Sequence, residues 1–260
     1  MKMLFAALGA ALISTSPAAQ SAPLPGPVPA ALSVAADSYP FAVGERLEYA
    51  AKLGFLRLGT AWLSVTAIDT VRESESFVFE FGLDASAPFY KSRNVMRSWT
   101  GTADLISRRF HQDLVENGKS RKKYYDIYPD SLFYTQENRP GTRPSVSDPL
   151  DDAAFFYFLR TIPLEMGKTY TYQRYFRKEW NPVTIRVVKR EKLDIPGGKD
   201  TPCIIINPEV GEEGVFAPRA KAMLWLTDDA RHLPVQIRSK LPFGTVTLVL
   251  EKIGTEPAAP

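Results

Sequence analysis

Residues 76–84 set Phe77, Phe79, Phe81 and Leu83 against Val78, Glu80 and Gly82 in strict alternation. Side chains that switch sides at every residue belong to a strand, because helical geometry would spread them around turns of 3.6 residues. Three phenylalanines therefore share one face as an aromatic wall, and something apolar has to cover it.

The same period governs the rest of the chain. Over residues 60–68, Ala61, Leu63, Val65 and Ala67 fall on one face, with Thr60, Trp62, Ser64 and Thr66 on the other. Further strands are expected at 45–52, 94–104, 109–116, 120–128, 169–176, 183–190, 203–208, 222–227, 235–239 and 245–252. Glu116-Asn117-Gly118, Ile195-Pro196-Gly197-Gly198 and Pro242-Phe243-Gly244 are turn signals between them. About 10–12 short strands at this spacing imply a mainly β fold, a large curled antiparallel sheet or incomplete β-barrel. One segment differs: Asp148, Pro149, Asp151 and Asp152 precede an aromatic run to Arg160. A capping residue, a proline at the first helical position and acids in the first turn predict one short helix over 149–160, covering the concave face.

The chain's start reads as a secretory signal peptide. Lys2 precedes an uncharged apolar run at 3–13, and small residues follow to Ala22. That run is too short to span a bilayer, which takes about 20 apolar residues, and no transmembrane segment is expected elsewhere. The expected organisation is a signal peptide at 1–22, a flexible Pro- and Ala-rich leader at 23–38, one β-rich domain at 39–253 and a tail at 254–260. Cys203, the one cysteine, lies far from the signal. It can carry no N-terminal lipid, and it has no partner for an intramolecular disulfide. A soluble, exported, periplasmic protein without a lipid anchor is the expectation. With 32 basic and 29 acidic residues the net charge is +3, too small a field to hold nucleic acid.

Catalytic chemistry finds little to work with. His111 and His232 are the two near-neutral proton carriers, and neither stands in a recognisable catalytic setting. His111 with Asp113 gives two metal ligands where three are needed. Asp151-Asp152 is explained by a helix start and Asp228-Asp229 by a turn. Lys119, Arg121, Lys122 and Lys123 suit either an anionic surface or a solvated strand edge, and the edge is the reading preferred. No catalytic residue, metal site or cofactor is expected.

Several stretches together resemble the bacterial exported proteins grouped as domain-of-unknown-function family 3108. They are residues 40–49 (PFAVGERLEY), 58–65 (LGTAWLSV), 151–160 (DDAAFFYFLR) and 224–229 (LWLTDD), with Leu233-Pro234-Val235 following. The resemblance implies a fold similar to periplasmic lipoprotein carriers, an incomplete antiparallel barrel whose concave face is covered by helix and holds an apolar cavity. On that basis the expected function is binding of a lipid or other apolar envelope ligand, without catalysis. Phe77, Phe79, Phe81, Phe155, Phe158 and Trp225 are the expected cavity lining. The alternative is a structural or assembly module that binds an envelope protein through an exposed sheet edge; a hydrolase of envelope polymers is a third reading. The oligomeric state is open.

Overall fold

The computed structural model describes residues 39–255 except 89, 213–215 and 242–243. The expected signal peptide and leader lie outside the described residues, as does 256–260 of the expected tail. Eight strands come first: β1 (Glu45–Leu53), β2 (Leu56–Val71), β3 (Ser74–Ala87), β4 (Tyr90–Gly101), β5 (Ser107–Glu116), β6 (Lys119–Tyr128), β7 (Phe133–Gln136) and β8 (Arg139–Pro144). Helix α1 (Asp152–Phe158) follows, and then β9 (Thr169–Tyr172), β10 (Val183–Ile195), β11 (Gly198–Glu209), β12 (Met223–Thr227), β13 (Pro234–Leu241) and β14 (Gly244–Thr255).

Each half is an antiparallel meander. Pairing of β1 with β14 merges the halves into one 14-stranded sheet with β8 and β9 at its margins. The two strands beyond the expected number are β7 and β8. β7 is only four residues long, too short to show an alternation, and β8 is an exposed Pro- and Arg-containing sequence without one. Gly254 and Thr255, expected in the tail, pair with Arg46 and Glu45 at the end of β14. The hairpin between β5 and β6 turns on Asn117 and Gly118, both at positive φ (48° and 79°), as an Asn-Gly turn requires. On the convex face the indole of Trp62 lies over Gly82, where an added Cβ would sit 2.0 Å from the ring.

The sheet curls around α1. Tyr157 stacks on Phe79 of β3 with ring centroids 3.9 Å apart, Phe156 stacks on Phe81, and Phe158 meets Tyr172 of β9 edge-on at 5.1 Å. Strands so far apart in the sheet order can touch one seven-residue helix only if the sheet wraps it. All six residues of α1 from Ala153 to Phe158 are buried, so the helix is a core element with no solvent face.

The helix starts three residues later than its sequence signals suggest. Leu150 is bridged to Tyr175, and its N–H and C=O bond the backbone of Arg174 and Phe176, which keeps Leu150 out of the helix. Asp151, rather than Asp148, is the N-cap. Its Oδ1 accepts from the N–H groups of Ala153 and Ala154 at 3.0 Å, and its Oδ2 accepts from Ser98 Oγ at 2.5 Å. At the other end, the buried Arg160 side chain uses its guanidinium fully. Nη1 and Nη2 grip Glu45 at 2.5 and 3.0 Å, Nη2 also reaches the Pro40 carbonyl, and Nε donates to the Arg231 carbonyl. The cap fastens the start of α1 to β4. The guanidinium fastens its exit to the start of β1 and the β12–β13 turn.

Replacing Arg160 with Met should cost about 3 kcal/mol, because Glu45 loses its bidentate partner in a largely buried site; urea unfolding reads the loss, and Glu45→Gln should cost less. Burial pushes the Asp151 carboxyl from 3.8 up to about 7, against the pull of its donors, and burial raises Asp152 as well. An acid with a raised folded pKa binds a proton on folding. Its stabilising contribution is complete below its unfolded value and is lost as pH rises through the folded value. Asp151→Asn keeps the Oδ1 acceptor without the charge, so the variant should gain in melting temperature relative to the parent as pH goes from about 4 to 8. A difference that stays flat across that range would contradict the assignment.

Candidate ligand-binding site

The space expected to be a cavity beneath the helix is filled. Phe77, Phe79 and Phe81 lie in a row on the concave face as the alternation requires, and all three are buried. Phe77 stacks on Phe79 at 5.5 Å, and Tyr157 and Phe156 cover Phe79 and Phe81 from the helix. Phe155 packs against Phe216 at 5.3 Å, and Phe158 packs between Tyr172 and the Arg174 guanidinium. These five residues belong to the hydrophobic core.

Trp225 lies elsewhere. Its strand neighbours Leu224 and Leu226 are fully buried, and Leu224 shares the concave face with Ile206 and Ile237. Trp225, one residue along, points to the convex face. Its Nε1 donates to the Glu191 carboxylate and the Arg238 guanidinium lies 4.9 Å from its ring centre. It is a covered surface residue on the wrong side of the sheet to meet Phe77, Phe79 or Phe81.

The remaining reactive side chains have local roles. His111 sits on the convex face between Trp99 and Tyr124, with centroids 4.8 and 4.2 Å away, and burial lowers its pKa. Asp113 accepts from Tyr124 Oη at 2.8 Å. Asp152 accepts from the Tyr175 hydroxyl, while Asp229 accepts from Thr227 Oγ1 and Arg231. Cys203 is buried, with its thiol pushed up to about 11 by desolvation. Among the described residues no three His, Cys, Asp or Glu side chains converge as metal ligands, and no helix is long and apolar enough to cross a membrane.

An apolar cavity does exist, farther along the same face. Past Phe81 the concave side of β3 continues as Leu83, Ala85 and Ala87, so bulk falls from phenylalanine to alanine toward the end of the strand. Ala51 and Leu53 of β1, Leu58 of β2 and Val246 of β14 complete an apolar lining around about 580 Å³, with Tyr90, Ser92 and Glu116 at its side. The opening lies where β1 turns into β2 and β3 into β4. Phe55 at the β1–β2 turn is 99% exposed and Leu56 beside it 51%, so apolar surface continues out of the mouth. At the opposite end of the sheet a cavity of about 630 Å³ has a mixed polar and apolar lining that includes Arg108, paired with Asp104, and Arg72, paired with Asp126 outside it. The mouth carries no bulky sequence signal, because small residues such as Ala51, Ala85 and Ala87 leave the space open between its leucines. The run Leu83-Asp84-Ala85-Ser86-Ala87, which extends the Phe alternation with shrinking side chains, is the signal that marks it.

Residues 48–251 match the family described as "Protein of unknown function (DUF3108)". The chain belongs to this family. No curated protein matches it. Among solved structures, it is similar to a beta-barrel-like protein of domain of unknown function DUF1849 from Brucella abortus. The TM-score is 0.56 at 10% identity, over 82% of this chain and 98% of that one. At that identity the likeness establishes a shared fold and nothing further.

Packing and cavity lining separate experimentally. Phe79→Ala should cost about 3–5 kcal/mol in urea unfolding, as removal of a stacked core ring does, whereas Leu83→Ala beside open space should cost less than about 2 kcal/mol.

Proposed function

We propose that the protein is a non-enzymatic periplasmic binding protein for a lipid or similar apolar envelope ligand, which it takes up through the mouth bounded by Leu53, Leu83, Ala85 and Ala87. The observation that carries the reading is the cavity. Its volume of about 580 Å³ falls within the roughly 300–1,000 Å³ of small-molecule sites. Its lining is aliphatic, which suits hydrocarbon, where each buried methylene contributes about 0.8 kcal/mol. Phe55 and Leu56 offer an apolar path between the mouth and a membrane or a second carrier. Export to the periplasm is supported by the charged start and apolar run of residues 1–22.

Binding through an exposed sheet edge finds less support. The β8 margin contains Pro140 and Pro144, which offer no N–H to an added strand, and β9 is only four residues long.

Protein purified without detergent should carry an extractable lipid identifiable by mass spectrometry, and delipidated protein should bind a fluorescent acyl probe. Ala85→Phe, which puts a ring into the mouth, should abolish that binding while the melting temperature holds. Empty protein that ignores added lipids would falsify the reading.

A further inference from the structure

Antiparallel register carries the concave face sideways from the mouth. Ala85 opposes Ser92, Ser92 opposes Glu116, and Glu116 opposes Lys119. One step deeper, Leu83, Asn94, Leu114 and Arg121 make a second row, and Phe81, Met96, Gln112 and Lys123 make a third. Lys119, Arg121 and Lys123 are thus on the same side of the sheet as the cavity, and all three are exposed. Directly opposed side chains start about 5 Å apart, so Lys119 stands one strand beyond Glu116, which itself lines the cavity. Lys122 and Tyr124, which flank Lys123 in sequence, point to the convex side, where Tyr124 stacks on His111.

The charge there is unbalanced. Glu116 stands directly opposite Lys119, and it is engaged by Arg121 and by the Tyr90 hydroxyl at 3.0 Å. Among the described residues neither Lys119 nor Lys123 has an acidic side chain within 4 Å. β7 pairs with β6 only over residues 125–128, so nothing described in the sheet lies beyond residues 119–123, and this flank of the mouth opens to solvent. An aliphatic cavity with cations on one wet side is complementary to a molecule that is hydrocarbon at one end and negative at the other.

We propose that the mouth selects an anionic amphiphile, with its chain among Leu53, Leu83 and Ala85 and its negatively charged head on Lys119 and Lys123. This rests on the ligand-binding reading above and adds the head-group class to it. Solvated lysines on an exposed strand edge explain the exposure of these residues. They do not require the cations to face the apolar cavity.

Delipidated full-length protein is titrated by calorimetry with lysophosphatidylglycerol and with lysophosphatidylcholine of the same acyl chain. The anionic lipid should bind about tenfold tighter at low ionic strength. That preference should shrink as salt is added and should collapse toward unity in Lys119→Gln/Lys123→Gln, with binding of the zwitterionic lipid unchanged. Equal affinity for both lipids overturns the head-group assignment and leaves the cavity reading standing. Binding of neither overturns both. The salt dependence of the parent protein decides the matter even if the double variant is unstable.

Discussion

A helix without a polar side cannot rest on a sheet; it has to be enclosed by one. Every residue of α1 from Ala153 to Phe158 is buried, and that requirement organises the molecule. The sheet must be long enough to reach around the helix, which explains why two meanders are joined through β1 and β14. It must also stay open at one seam, because the chain enters and leaves the helix between β8 and β9. Hydrogen-bonding groups lost from solvent at the two helix ends have to be matched inside the protein. Asp151, Ser98 and Ser107 do this at the start, and Arg160 with Glu45 stiffens the exit.

Filling the barrel in this way relocates the vacancy. Tyr157 and Phe156 stack on Phe79 and Phe81, leaving no room over the centre of β3. The helix is only seven residues long, so at a rise of about 1.5 Å per residue it covers roughly 10 Å of strand. Beyond its reach the concave face continues uncovered through Leu83, Ala85 and Ala87. The interior is therefore divided along its axis into a solid portion that holds the fold and a hollow portion at one end. The opposite end presents paired charges. Core packing and cavity lining can then be altered separately, by residues on the same strand.

Much of this was legible in the residues, and what was not has a physical cause. Alternation marks the longer strands that bury one face, because burial is what imposes the pattern. β7 buries Tyr134 but is too short to show a period, and in β8 Arg139-Pro140-Gly141-Thr142-Arg143-Pro144 is exposed along nearly its whole length. The start of α1 was displaced because Asp148-Pro149 carries the same chemistry as Asp151, and the choice between them is made by hydrogen bonds from Leu150 to the distant residues Arg174 and Phe176. Trp225 was assigned by its aromaticity, although parity with Leu224 and Leu226 puts it on the other face. The mouth stayed unseen because hollows are made by small side chains, and alanine in a strand attracts no notice.

The margins of the sheet have a consequence for life at high concentration. A long open β-surface invites copies of itself to add on edge to edge, the first step toward fibrils. Here one border is interrupted by Pro140 and Pro144, the other is a four-residue stub at β9, and the partly bare flank of β6 is crowded with lysines. A barrel that never closes can therefore remain dispersed, and the gap through which the helix threads need not become a route to self-association.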